Sequence, residues 1–74
     1  MSTVAFLKAA EVRVGREIQV QWTDTLWYTA KILGRTGSGR SIEVQVHYQR
    51  WGREWDESIA LGAQRMRVPQ VGAS

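Results

Sequence analysis

Four tryptophans, two tyrosines and one phenylalanine are the aromatic residues of this chain, and all but Phe6 fall between residues 22 and 55. The chemistry they offer is that of ring faces. An aromatic quadrupole attracts a cation placed over it, and several rings around one concave site favour a quaternary or methylated ammonium. A plain lysine is a poorer guest, because burying its ammonium leaves three strong donors unpaired. Methylation removes those donors, keeps the charge and adds apolar surface. Catalytic constellations are absent by comparison. His47 is the sole histidine and there is no cysteine, so spacing supplies neither a second metal ligand nor a nucleophile–base pair. A cross-strand hydrogen bond or an exposed position is expected for His47. Glu54, Asp56 and Glu57 flank Trp55, with nothing beside them to hold a substrate for acid–base work. Asp56 and Glu57 read as a solvated strand face. Glu54, which precedes a ring, reads as a candidate acid at the rim of a cation site. No enzyme, no cofactor and no metal are expected.

The elements that must position these rings show period-two alternation from Glu17 onward. Ile18, Val20 and Trp22 alternate with Glu17, Gln19 and Gln21, and a polar Thr23-Asp24-Thr25 turn follows. In the second run Tyr28, Ala30 and Ile32 share one face, opposite Trp27, Thr29, Lys31 and Leu33. Residues 34–41 carry three glycines and two arginines, which predicts a mobile hairpin tip rather than strand. They lack the Gly-Lys-Ser/Thr ending of a phosphate cradle. A third run sets Ile42, Val44, Val46 and Tyr48 on one face. Residues 50–53 read as a turn, residues 54–59 as a fourth strand opened by Trp55, residues 61–64 as a tight turn, and residues 65–68 as a last strand stopped by Pro69. Five short strands suit a small closed barrel better than a sandwich.

An antiparallel meander then decides where the rings go. Trp22 ends an ascending strand, Tyr28 opens the descending one, and Tyr48 ends the next ascent. Trp51 lies in the turn above and Trp55 just beyond it. Five rings, Trp22, Tyr28, Tyr48, Trp51 and Trp55, are expected at one mouth of the barrel, with Trp27 facing outward. If they line the mouth, replacing Tyr48 or Trp51 by Ala leaves a folded barrel; if they plug a core, the same changes unfold it.

At this point the residues resemble a known family. Trp27-Tyr28-Thr29-Ala30-Lys31-Ile32, followed by Val46-His47-Tyr48-Gln49-Arg50-Trp51-Gly52-Arg53-Glu54-Trp55-Asp56-Glu57, is similar to the chromo barrel (Tudor-knot) domains and to the related Tudor domains of chromatin proteins. The resemblance implies an all-β, five-stranded SH3-like barrel over residues 16–68. It implies that Tyr28, Tyr48, Trp51 and Trp55 occupy methyl-lysine cage positions, and that Trp22 closes the first strand as a further wall. It also implies a non-enzymatic reader of methylated lysine, on a histone tail, within a nuclear, multidomain chromatin protein or complex. Ser58 stands where many members carry Trp, and Trp27, of the same outward parity, is the candidate to cover that surface.

Composition bounds the alternatives. The chain has 74 residues, enough for one small domain, with ten Lys+Arg against seven Asp+Glu for a net charge of +3. Residues 1–15 read as an N-terminal arm and residues 69–74 as a tail. The longest apolar stretch, residues 4–7, is far short of the ~20 residues a membrane helix needs, and no signal peptide or membrane partner is expected. A basic balance permits a second class of partner. Weak DNA or RNA binding is expected through Arg35, Arg40, Arg50 and Arg53, with rim rings stacking on bases, as the alternative to methyl-lysine reading. Arg65 and Arg67 share one face of the last strand and extend that basic set. A proline-rich peptide ligand, the third class, lacks the acidic loop and tyrosine motif it requires.

Overall fold

The apolar alternation becomes register in one antiparallel sheet. The computed structural model describes residues 5–69 and, at Arg40, the backbone alone. Residues 1–4 of the arm and 70–74 of the tail lie outside the described residues. The strands are β1 (Glu17–Gln21), β2 (Trp27–Thr36), β3 (Glu43–Tyr48), β4 (Glu57–Ala60) and β5 (Met66–Arg67), in the order β4-β3-β2-β1-β5. Val20 faces Tyr28, Ala30 faces Tyr48 and Val44 faces Ile59, so the apolar stripes of four strands meet on the concave side. Ile18, Val20, Ala30, Ile32, Val44, Val46, Tyr48, Ile59 and Met66 are buried there. The fold is all-β and of the small SH3-like barrel type.

The barrel closes without a continuous backbone ladder. β4 and β5 are the two ends of the sheet and do not pair with each other. A two-residue β5 is too short to build a ladder on both sides. Its outer side instead takes Phe6, bridged to Arg67, and Leu7, whose N–H donates to the Met66 carbonyl at 2.8 Å. This part of the arm therefore belongs to the core, with Leu7 and Val12 both buried and a 3-10 turn at Ala9–Glu11 between them. The seam near β4 is bridged by side chains. Arg65 Nη2 and Nη1 donate to the two Glu57 carboxylate oxygens at 3.1 and 3.3 Å.

Three local expectations are corrected. Gly34, Arg35 and Thr36 are strand, not hairpin tip, because a bulge between Ile32 and Gly34 re-registers β2 against β3 and tolerates a glycine. The remaining turn depends on Gly37, at φ +80°, where a Cβ would run into the Ser41 carbonyl. The fourth strand begins at Glu57 rather than at residue 54, because Arg53–Trp55 forms a 3-10 turn, closed by the Asp56 N–H donating to the Arg53 carbonyl at 3.0 Å. Ser58 is not covered by Trp27, which sits on β2 with β3 intervening. Its hydroxyl instead joins a polar ladder, accepting from Gln45 Nε2 at 3.0 Å and donating to Glu43 Oε1 at 2.8 Å.

Candidate functional site

Two turns at the same end of the barrel bring the rings together. After β1, residues 22–26 reverse the chain: the Trp22 N–H donates to the Leu26 carbonyl at 3.0 Å and the Thr25 N–H to the Trp22 carbonyl at 2.9 Å. Thr25 takes a left-handed φ of 69°, and Asp24 Oδ1 accepts from the Leu26 N–H at 2.9 Å, an Asx turn. After β3, the Trp51 N–H donates to the Tyr48 carbonyl at 3.1 Å, and the 3-10 turn that follows carries Trp55 back over Trp22. The His47 imidazole ties that turn to β3, Nδ1–H donating to Asp56 Oδ1 at 2.6 Å. His47 thus makes a hydrogen bond of the kind expected, whereas Asp56 is not a solvated side chain.

Trp51 occupies the centre of the cluster. Its ring centroid lies 4.7 Å from Tyr48, 5.0 Å from Tyr28, 5.2 Å from Trp22 and 5.6 Å from Trp55. Trp22 also meets Tyr48 edge-on at 5.7 Å and Trp55 at 6.0 Å. All five residues that parity placed at the mouth are there. These are the separations of rings in mutual contact. A cation stacks within about 6 Å of a ring centroid, so as they stand the rings fill the space between one another. A guest meets their outward faces or moves Trp51. Burial divides them further: Tyr48 is 1% exposed and is core, whereas Trp55 is 49% exposed. Trp22, Tyr28 and Trp51 are half-buried. Beside the cluster a cleft of about 470 Å³ is lined by Tyr28, Tyr48 and Trp51 together with Glu17, Trp27, Thr29, Gln49 and Arg50.

Two carboxylates besides that of Glu54 meet the rings. Glu54 is exposed on the 3-10 turn, folded back so close to Gly52 that a Cβ there would collide with its carboxylate. Glu57, expected to be solvated, accepts the Tyr48 hydroxyl and both Arg65 bonds, because it opens β4 with the parity of the core face. Burial first, and that bond second, push the Tyr48 phenol well above its ordinary range. Asp24, expected only as part of a polar turn, also meets a ring. Its Oδ2 accepts the Tyr28 hydroxyl, which together with the Leu26 N–H holds its carboxyl below the usual range; the same bond raises the Tyr28 phenol. The available signal was a turn aspartate four residues before a strand-opening tyrosine.

The arginines do not form one patch. Arg50 borders the cleft and Arg53 is exposed on the 3-10 turn at the mouth. Arg35 lies seven residues along β2 from Tyr28, toward the opposite end of the barrel, roughly 20 Å away at strand rise. Arg40 follows in the loop at that far end, its side chain outside the described residues. Arg65 is engaged with Glu57, and Arg67 stacks on outward-facing Trp27, its guanidinium 3.9 Å from the ring centroid.

A family model described as the Tudor-knot, "RNA binding activity-knot of a chromodomain", matches residues 12–65. Comparison with curated proteins and with solved structures gives no match.

Proposed function

The chain belongs to the Tudor-knot family, and on that premise we propose that this chromodomain-like binding module reads methylated lysine, on a histone tail and hence in the nucleus. The family is one of binding domains. The observation that supports the reading is the gathering of Trp22, Tyr28, Tyr48, Trp51 and Trp55 at one mouth, bordered by the Asp24 carboxylate. Tyr48 forms the floor, and the four less buried rings supply the walls. A guest meets the outward faces of these walls or displaces Trp51 to reach the floor. Each ring contributes about 0.5–1 kcal/mol to a bound cation when exposed and up to ~2 when desolvated. After ordering costs, dissociation constants of order 10 µM to 1 mM are expected for a flexible peptide.

The test is a titration of the domain with peptides carrying lysine, its methylated forms and a neutral tert-butyl isostere of trimethyl-lysine. Methylated peptides bind, the unmodified and neutral ones bind distinctly more weakly, and Trp51→Ala abolishes the difference in a chain that still folds. Equal binding of charged and neutral peptides removes the cation argument.

A second reading rests on the family's RNA-binding description together with exposed Arg50 and Arg53 beside the rings. Stacking of bases on the rings with two arginines on phosphates gives weak, sequence-tolerant binding that fades between about 50 and 200 mM salt. RNA binding that survives high salt while methylated peptides fail favours this reading.

A further inference from the structure

The two tyrosines of the mouth both donate their hydroxyl protons to carboxylates, and the two carboxylates differ in what else they hold. Glu57 is paired with Arg65, which offsets its charge beneath the floor. Asp24 has no cationic partner within 4 Å among the described residues; its oxygens are held by the Tyr28 hydroxyl and the Leu26 N–H. Both of those donors are neutral, so Asp24 keeps its full negative charge. Each of its oxygens retains a second lone pair, open to solvent at the rim. Tyr28 is affected in turn. With its proton committed to Asp24, its phenolic oxygen presents only acceptor lone pairs to anything arriving at the mouth.

Ring faces attract a cation but accept no N–H hydrogen bond of ordinary strength. Mono- and dimethylammonium ions still carry N–H donors, and burying them against rings alone leaves those donors unpaired. A trimethylammonium carries none. The Asp24 carboxylate and the Tyr28 oxygen are adjacent acceptors on the edge of a ring that touches Trp51. They suit a guest that keeps an N–H and give a trimethylammonium only Coulomb attraction. We propose, resting on the methyl-lysine reading above, that Asp24 sets the methylation state read by this mouth, favouring mono- or dimethyl-lysine over trimethyl-lysine. Asp24 is a specificity residue in this account, and Tyr28 orients it.

The experiment compares the wild-type chain with Asp24→Asn on four peptides of one sequence: mono-, di- and trimethyl-lysine, and the neutral tert-butyl isostere. Asparagine keeps an oxygen for the Leu26 N–H, so the turn and fold survive, checked by thermal unfolding. Wild-type protein is expected to bind the mono- or dimethyl peptide about threefold or more tighter than the trimethyl peptide. The ratio falls to about one in Asp24→Asn. Affinity for the neutral isostere is unchanged, which a merely structural loss of the turn would not allow. Tightest binding of trimethyl-lysine by the wild type, or an unchanged ratio in Asp24→Asn, overturns the assignment while leaving methyl-lysine reading intact. Failure to bind any methylated peptide overturns both.

Discussion

Tyr28 and Tyr48 stand on neighbouring strands at one end of the barrel, and each donates its hydroxyl to an acidic side chain. Their surroundings separate them. Tyr48 is 1% exposed, beneath Trp22 and Trp51, and its carboxylate is Glu57, itself clamped by Arg65 across the seam between β4 and β5. Tyr28 lies at the edge of the same cluster, and its carboxylate, Asp24, belongs to an exposed turn. One bond type thus serves two ends. Where the ring is buried, the bond satisfies a hydroxyl that would otherwise be stranded and joins the edges of the sheet. Where the ring is at the rim, stability gains little and the bond fixes an anion at the opening.

The sharpest way to break this contrast is truncation. Tyr48→Ala removes a buried ring and strands Glu57 and Arg65, and is expected to cost about 3–5 kcal/mol in urea unfolding, a large part of a small domain's stability. Tyr28→Ala is expected to leave a folded chain with impaired peptide binding. If both variants fold equally well, Tyr48 is a wall of the mouth and not its floor.

A smaller effect comes with pH. The folded chain holds the Tyr48 proton more tightly than the unfolded chain, where the phenol titrates near pH ~10. In that alkaline range the unfolded state binds fewer protons than the folded one. The contribution of Tyr48 is therefore complete below about pH 10 and declines as pH rises beyond it. Thermal unfolding measured from pH 8 to 11 should fall less steeply in Tyr48→Phe than in the wild type. Parallel curves would show that burial and the bond to Glu57 do not hold the Tyr48 proton more tightly in the folded chain.

The smallest effect is at the rim. Tyr28→Phe removes an exposed hydrogen bond and is expected to leave the unfolding midpoint nearly unchanged. It should be visible at Asp24, whose carboxyl titrates below the ordinary range chiefly because of that hydroxyl. An NMR titration should show the Asp24 carboxyl moving upward in the variant. No movement would mean that the Leu26 N–H alone holds the carboxylate.

Much of this was legible beforehand because it depends on parity. Once Ile18, Val20, Ala30 and Val46 define an inward face, Tyr28 and Tyr48 must share it. The meander then puts residues 22, 28, 48, 51 and 55 at one end whatever the details. Two local rules misled. Gly34 looked like a loop residue because glycine weakens strands, but a bulge uses that same permissiveness to continue one. Asp56 and Glu57 looked solvated because charge runs usually are. A single 3-10 turn before them changed their aspect, directing Asp56 to His47 and Glu57 to Tyr48.

The all-β class, the inward stripes and the end of the barrel where the rings collect follow from residue order, since strand periodicity is a property of the local backbone. Packing in three dimensions is what puts Trp51 at the centre of the ring cluster, makes Tyr48 floor and Tyr28 rim, and separates Arg35 from Arg50 and Arg53. It also decided which acids meet which phenols. Those outcomes turn on sheet curvature and on how two turns fold over one opening, and pairings such as Arg65 with Glu57 depend on side chains converging across a seam that has no backbone ladder. Separation in the chain carries no record of that convergence.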